Sequence, residues 1–160
     1  MSWTVIDSPV GELRLVEHDG ALTQIEFWPF RDHDGHPRGT RDDAQPLLVE
    51  TARQLRAYFD RDLKEFDLPL APVGTEFQQR VWQLLREIGY GETSSYGELA
   101  HRLGKSNAAS RAVGLANGAN PIPIVIPCHR VIGANGTLTG YAGGIERKQT
   151  LLEIEQHALF

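Results

Sequence analysis

Three prolines within seven residues constrain this chain more than any other feature. In the stretch Asn120 to Val131, NPIPIVIPCHRV, Pro121, Pro123 and Pro127 fix their own φ and push each preceding residue out of the helical region. Ile122, Ile124, Val125 and Ile126 add a β-branched run. No helix can continue through such a segment, and the residues predict a stiff, apolar, extended one. It ends on Cys128, the single cysteine of the chain, followed at once by His129. The glycine-rich run after Ile132, GANGTLTGYAGG, is expected to fold back over that thiol. One cysteine excludes an internal disulfide and a zinc site built on several thiolates.

A chain of 160 residues fits one large domain or two small ones, with 41% hydrophobic residues to supply a core. No apolar run approaches the roughly 18 residues of a membrane span, and MSWTVIDSPVGEL lacks a basic region followed by an apolar one. The expectation is a cytoplasmic protein. Its net charge of −5 is unevenly distributed. Residues 1–74 carry eight Lys/Arg against fourteen Asp/Glu, whereas residues 75–160 carry eight against seven. From Leu99 to Ile145 there is no acid, while Arg102, Lys105, Arg111 and Arg130 are present. Cations without anions suit an anionic partner; a solvated face accounts for the same charges equally well.

The N-terminal part reads as strands. Leu13 and Leu15 alternate with Glu12 and Arg14, and Ile25 and Phe27 with Gln24 and Glu26, around an Asp19-Gly20 turn. This is a hairpin pattern, and Trp3 to Ile6 can add a third strand. Residues 29–45 are charged and rich in turn formers, which predicts a surface loop. Its His33, His36, Asp32 and Asp34 are read as solvated polar residues, and no metal is assigned. A helix is expected from about Pro46 to Asp60, with Leu48, Ala52, Leu55 and Phe59 inward. FDLPLAPVG then breaks the pattern, dividing the chain into an α+β domain over 1–74 and a mostly helical domain over 75–160.

The second domain opens on Thr75 and Gln78, spaced as a capping box, with Phe77, Val81, Leu84 and Ile88 on the apolar face of the helix that follows. SSYGELAHRLG predicts a short helix with Leu99 and Leu103 inward, ended by Gly104. Ser106 or Asn107 caps a second helix that stops at Gly118. Two short helices around a glycine turn have the outline of a helix-turn-helix. In the second of them Ala108, Ala109, Ser110, Ala112, Gly114 and Ala116 leave Arg111 as the single long cationic side chain. Such a bare surface permits close approach of another helix or of a nucleic-acid groove. A buried Arg111 would require an acid, and none lies near it in sequence.

RAVGLANGANPIPIVIPCHRVIGANGTLTGYAGG resembles the O6-alkylguanine-DNA alkyltransferase family, also called methylated-DNA:protein-cysteine methyltransferases, whose signature is PCHRV. The likeness extends through GTEFQQRVWQLLREIGYGETSSYGELA upstream and ERKQTLLEIE downstream, essentially all of residues 75–160. It implies an α/β (α+β) fold with a C-terminal, winged-helix-like helix-turn-helix domain. The activity it implies is direct reversal of DNA damage: one irreversible transfer of an alkyl group from O6 of guanine, with O4 of thymine as a second substrate, to Cys128. The partner would be double-stranded DNA bound through the minor groove by a monomer, with cooperativity along the duplex a further implication. No cofactor is implied. Structural zinc in some members uses N-terminal cysteines, which this chain lacks.

The resemblance also distributes roles. Cys128 would be the nucleophile, and His129 and Glu155 would complete a network with an ordered water. Arg111 would fill the space left by the extruded nucleotide, and Tyr96 would assist at the flipped guanine. Asn120 would fix the turn between recognition helix and active-site segment. Ser110, Ala112 and Gly114 would be close-approach positions. Val131, Tyr141 and Ala142 would line the guanine pocket, Ala142 replacing a serine found in some members, so that only its backbone N–H could serve O6.

The chemistry stands beside the resemblance. A free thiol with a pKa of about 8.5 is only slightly ionised at neutral pH, so the nucleophile needs a base. Adjacent residues of an extended chain point to opposite sides, so either the chain turns sharply at Cys128 or a water relays the proton to His129. A carboxylate would hold the imidazole in the accepting tautomer. On helical pattern alone Glu155 falls beside the core face of Leu151 and Ile154 and reads as a surface residue. Two other readings remain at this stage. A lesion-binding protein without transfer would lack the cysteine of this motif, and a cysteine hydrolase would carry its Cys and His far apart in sequence.

Overall fold

The computed structural model describes residues 1–31, 39–133, 141 and 143–157. The chain forms two compact units, Met1–Val73 and Gly74–Phe160. The proposed metal-free loop residues Asp32, His33, Asp34 and His36, and the pocket residue Ala142, lie outside the described residues.

The first unit is a four-stranded sheet of order β3-β2-β1-β4, built from β1 (Ser2–Ile6), β2 (Leu13–His18), β3 (Ala21–Phe27) and β4 (Thr40–Arg41). β2 and β3 pair antiparallel with Leu15 opposite Ile25, and Asp19 and Gly20 turn between them with φ of 51° and 79°. Two successive positive φ values match the right-handed twist of the flanking strands. Within the segment expected to be loop, Thr40–Arg41 forms a short strand parallel to β1. Helix α1 (Pro46–Phe59) covers the sheet with Leu48, Ala52, Leu55 and Tyr58. Tyr58 is fully buried where Phe59 was expected, a rotation of one residue around the helix. Arg14 is not outward: it is 3% exposed, bonded through Nη2 to Glu26 at 2.8 Å, with its guanidinium over the rings of Trp3 and Phe30. Pairing and aromatic cover let a strand bury a charge on the face opposite its leucines.

The second unit begins with α2 (Glu76–Leu85), where the Thr75 and Gln78 side chains accept from each other's backbone N–H groups in the expected box. Its buried residues are Val81, Trp82 and Leu85, with Ile88 beyond; Phe77 and Leu84 are only half-buried. The large Trp82 ring takes the core position and turns the face by one residue, and its Nε1 donates to the Ala116 carbonyl at 2.8 Å. Strand β5 (Ser94–Ser95) leads into α3 (Tyr96–Arg102), capped by the Ser95 hydroxyl and closed by Gly104 at φ 77°. A single 3-10 turn, Asn107–Ala109, precedes α4 (Ser110–Gly118). Ser106 occupies the N-cap of that turn without a side-chain bond, so the tight turn replaces the cap expected there. The α3–turn–α4 corner is the helix-turn-helix.

The proline-rich segment is the main departure from expectation. It is a compact loop, not an extended strand. The Ile126 N–H donates to the Ile122 carbonyl at 2.9 Å, Pro123 and Ile126 form an isolated bridge, and Ile124 adopts φ 75°. Positive φ at a β-branched residue costs about 1–3 kcal/mol and persists only where the surroundings impose it. Here they do: Ile122, Ile124 and Ile126 are at most 1% exposed, and Asn120 binds both arms of the loop. The chain then makes a 3-10 turn at Cys128–Arg130 and enters β6 (Val131–Ile132), parallel to β5. Helix α5 (Ile145–His157) closes the unit.

Candidate functional site

The chain turns sharply at Cys128, in a 3-10 turn that runs on through His129 to Arg130. Cys128 is 4% exposed, and its N–H donates to the Ile126 carbonyl at 2.8 Å. Asn120 orients this backbone, donating from Nδ2 to the Ile126 carbonyl at 2.8 Å and accepting from the Ile122 N–H at 3.0 Å. Around the thiol, the Asn120 and Tyr141 side chains and the Lys148 charge each favour the thiolate. Burial dominates these influences and pushes the thiol pKa up to about 11. Cys128 therefore rests as the protonated thiol at neutral pH and requires a base at the moment of reaction.

An imidazole follows the thiol directly in sequence. His129 is fully buried, and its Nε2 lies 2.6 Å from Glu155 Oε2. Burial lowers the imidazole pKa against the pull of Glu155, so the ring is neutral at pH 7. With an ionised carboxylate opposite, Nε2 must carry the proton and donate it, which leaves Nδ1 as the lone-pair nitrogen. His129 Nδ1 has no protein hydrogen-bond partner among the described residues. Burial alone would raise the Glu155 pKa. The hydrogen bonds and charges of His129 and Arg130 outweigh it and hold the carboxyl down at about 2.

Arg130, expected among the cations facing an anionic partner, instead turns inward. It is 7% exposed, donates to Glu155 through Nε at 2.8 Å and Nη2 at 3.1 Å, and through Nη1 to the Ile88 carbonyl at 2.6 Å. The bidentate pair fixes the carboxylate that fixes the histidine. Glu155 is 1% exposed and not a surface residue. The buried face of α5 holds Lys148, Leu151, Leu152 and Glu155, at spacing i, i+3, i+4, i+7 and polar at both ends, with Ile154 buried beside them. Apolar periodicity does not reveal such a stripe. Lys148 and Asn117 are site residues that sequence reasoning missed; a lysine on the buried face of a terminal helix is detectable only once that face is known.

Outside this centre, α4 presents its sparse surface. Arg111 and Ala112 are exposed, Ser110 and Gly114 half-buried, and Leu115 is 71% exposed one turn beyond Arg111. Arg111 has no acidic partner among the described residues, whereas Arg102 pairs with Glu87 at 3.0 Å, from outside the acid-free stretch. The Tyr96 ring rests against Gly114, where an added Cβ would lie 3.7 Å from it. A concavity of about 570 Å³ opens between the heads of α3 and α4, lined by Ser95, Tyr96, His101, Asn107 and Ser110 among others. Val131 is fully buried, its backbone paired to Ser94. Among the described residues no group of His, Cys, Asp and Glu could hold a metal, and no helix is long and apolar enough to cross a membrane.

A cysteine nucleophile carried on a helix-turn-helix domain is the class that this fold and this centre define, and it is a narrow one. The model of the 6-O-methylguanine DNA methyltransferase DNA binding domain matches residues 76–157, and that of the same family's ribonuclease-like domain matches residues 1–72. The chain belongs to the 6-O-methylguanine DNA methyltransferase family. It is 48% identical to the methylated-DNA–protein-cysteine methyltransferase of Methanosarcina acetivorans, over 97% of this chain and 98% of that one. The Mycobacterium tuberculosis protein of the same name is 51% identical, over 96% of this chain and 92% of that one. The crystal structure of Mycobacterium tuberculosis OGT in complex with DNA superposes with a TM-score of 0.90 at 49% identity, covering 99% of this chain and 94% of that one.

Proposed function

We propose that this chain repairs alkylated double-stranded DNA by direct reversal, as a methylated-DNA–protein-cysteine methyltransferase with Cys128 as the acceptor. The observation that carries the reading is the buried Cys128–His129–Glu155 arrangement, in which a neutral imidazole with a free Nδ1 lone pair adjoins a protonated thiol. His129 Nδ1 takes the thiol proton through a water. The sulfur attacks the carbon bonded to O6 of guanine, the S–C bond forms as the C–O6 bond breaks, and the electron pair passes to guanine. The Tyr96 hydroxyl protonates the departing base and regains its proton from the protonated imidazole by way of solvent. O4-alkylthymine is a second substrate of the same chemistry.

The reacting carbon is inaccessible in a stacked duplex, so the nucleotide is extruded at a cost of about a few kcal/mol. α4 enters the minor groove, its small residues permit close approach, and Arg111 occupies the vacated stack. Tyr141 walls the guanine pocket, with Val131 behind it. The protein works as a cytoplasmic monomer, cooperative along the duplex, and the domain over 1–74 supports the one over 75–160, which does the chemistry.

Mixing the protein with duplex DNA containing O6-methylguanine tests this directly. Mass spectrometry should find one methyl group on the Cys128 peptide and at most one methyl removed per protein molecule. Turnover beyond one equivalent would refute single use, and DNA binding without an adduct would identify a lesion binder. Arg111→Ala should weaken duplex binding and slow transfer at subsaturating DNA. Its binding constant should also show a salt slope shallower by about one, provided the guanidinium offsets phosphate charge. An unchanged affinity and slope would remove Arg111 from the interface.

A further inference from the structure

Two asparagines at the C-terminal end of α4 hold the loop that carries Cys128. Asn120 binds the backbone before the cysteine. Asn117, 2% exposed, donates from Nδ2 to the carbonyl oxygen of Cys128 itself at 3.3 Å. The same carbonyl accepts the Val131 N–H that closes the 3-10 turn. Asn117 Oδ1, on the other side of the amide, is buried with no hydrogen-bond partner among the described residues. Turning the amide over does not help, because it would set Oδ1 against the Cys128 carbonyl, acceptor against acceptor. The side chain thus satisfies the backbone of the nucleophile and leaves its own oxygen unsatisfied. For stability alone an apolar side chain of similar size would serve as well or better, since a buried acceptor without a donor is costly.

The placement of Asn117 gives that cost a purpose. It lies six residues beyond Arg111 on one helix, about 9 Å along the axis, and the Trp82 Nε1 bond to the neighbouring Ala116 carbonyl pins this end of α4 to α2. A displacement of α4 therefore reaches the Cys128–Arg130 turn through Asn117. We infer that Asn117 is a positioning residue for alkyl transfer: it sets the aim of the thiol and couples the seating of α4 on DNA to the nucleophile. The inference rests on Cys128 being the alkyl acceptor.

The test compares the wild-type chain with Asn117→Leu and Asn117→Asp in single-turnover reactions on an O6-methylguanine duplex, alongside duplex affinity and thermal unfolding. Asn117→Leu should slow transfer at saturating DNA by about tenfold, with affinity within about twofold and a Tm equal to or above that of the wild type. Asn117→Asp, which places a second acceptor at the Cys128 carbonyl, should slow it at least as much. A saturating rate for Asn117→Leu within about twofold of wild type overturns the positioning role. A slower rate accompanied by a lowered Tm also overturns it, in favour of a structural role. Should the wild type itself acquire no methyl on Cys128, it is the proposed function that fails.

Discussion

Cys128→Ser is expected to abolish alkyl transfer to the protein while leaving duplex affinity within about twofold, since the thiol contributes chemistry and not contact area. The substitution is nearly isosteric at a site only 4% exposed, and no second cysteine exists to take the group. A serine hydroxyl is far less acidic than a thiol, and a neutral imidazole cannot deprotonate it appreciably. The measurement is intact-mass spectrometry after incubation with methylated duplex, beside a binding titration. A methyl group found on any other residue of the variant would remove Cys128 from its role. The same variant should be more resistant to alkali. The Cys128 pKa rises from its ordinary 9.0 to about 11 on folding, so the unfolded chain ionises first, and stability present below pH 9 is lost as pH rises through 11. Two units correspond to about 3 kcal/mol, which Cys128→Ser would not lose.

Much of the local architecture was legible because short-range rules decide it. The Asp19-Gly20 hairpin, the Thr75/Gln78 capping box, Pro46 at the head of α1 and Gly104 after α3 each depend on neighbours within a few residues. Faces were legible to within one residue; a bulky ring such as Tyr58 or Trp82 takes the core and turns the helix to suit. The proline segment was misread because proline constrains φ at itself and its predecessor only, whereas Ile124 is forced to φ 75° by the Asn120 bonds and the surrounding core. Burial of charge was the least legible. Arg14 needs Glu26 across a hairpin, and Arg130 needs Glu155 on a helix 25 residues away. A count of acids along the sequence cannot see such partners, so Arg130 read as a surface cation and Glu155 as a surface acid.

Glu155→Gln is expected to damage both stability and rate, and the two effects separate by pH. Glu155 accepts from His129 Nε2 and from Nε and Nη2 of Arg130. A glutamine offers one acceptor oxygen and turns a donor toward the remaining N–H groups, leaving the Arg130 charge buried and uncompensated. Breaking a buried pair in this way costs about 3–5 kcal/mol. Transfer should fall by roughly 10²-fold or more at pH 7, because the imidazole loses the partner that keeps its proton on Nε2. His129→Ala provides the control: it spares the Glu155–Arg130 pair, so it should lose transfer to a similar extent with a smaller loss of stability. The pH dependence of unfolding then identifies the carboxylate. In the wild type both groups have depressed pKa values, so each contributes stability at neutral pH that acid removes. The His129 contribution begins to fade as pH drops below 6.5. That of Glu155 fades below 4.5 and continues to be lost as pH falls through about 2. Denaturant midpoints measured from pH 7 to pH 3 should show the wild type losing stability in both ranges, while Glu155→Gln loses less below 4.5, keeping only the share of other carboxylates such as Glu17, whose pKa is also held low. Parallel curves for the two proteins below that pH would mean that Glu155 is not the ionised anchor of the site.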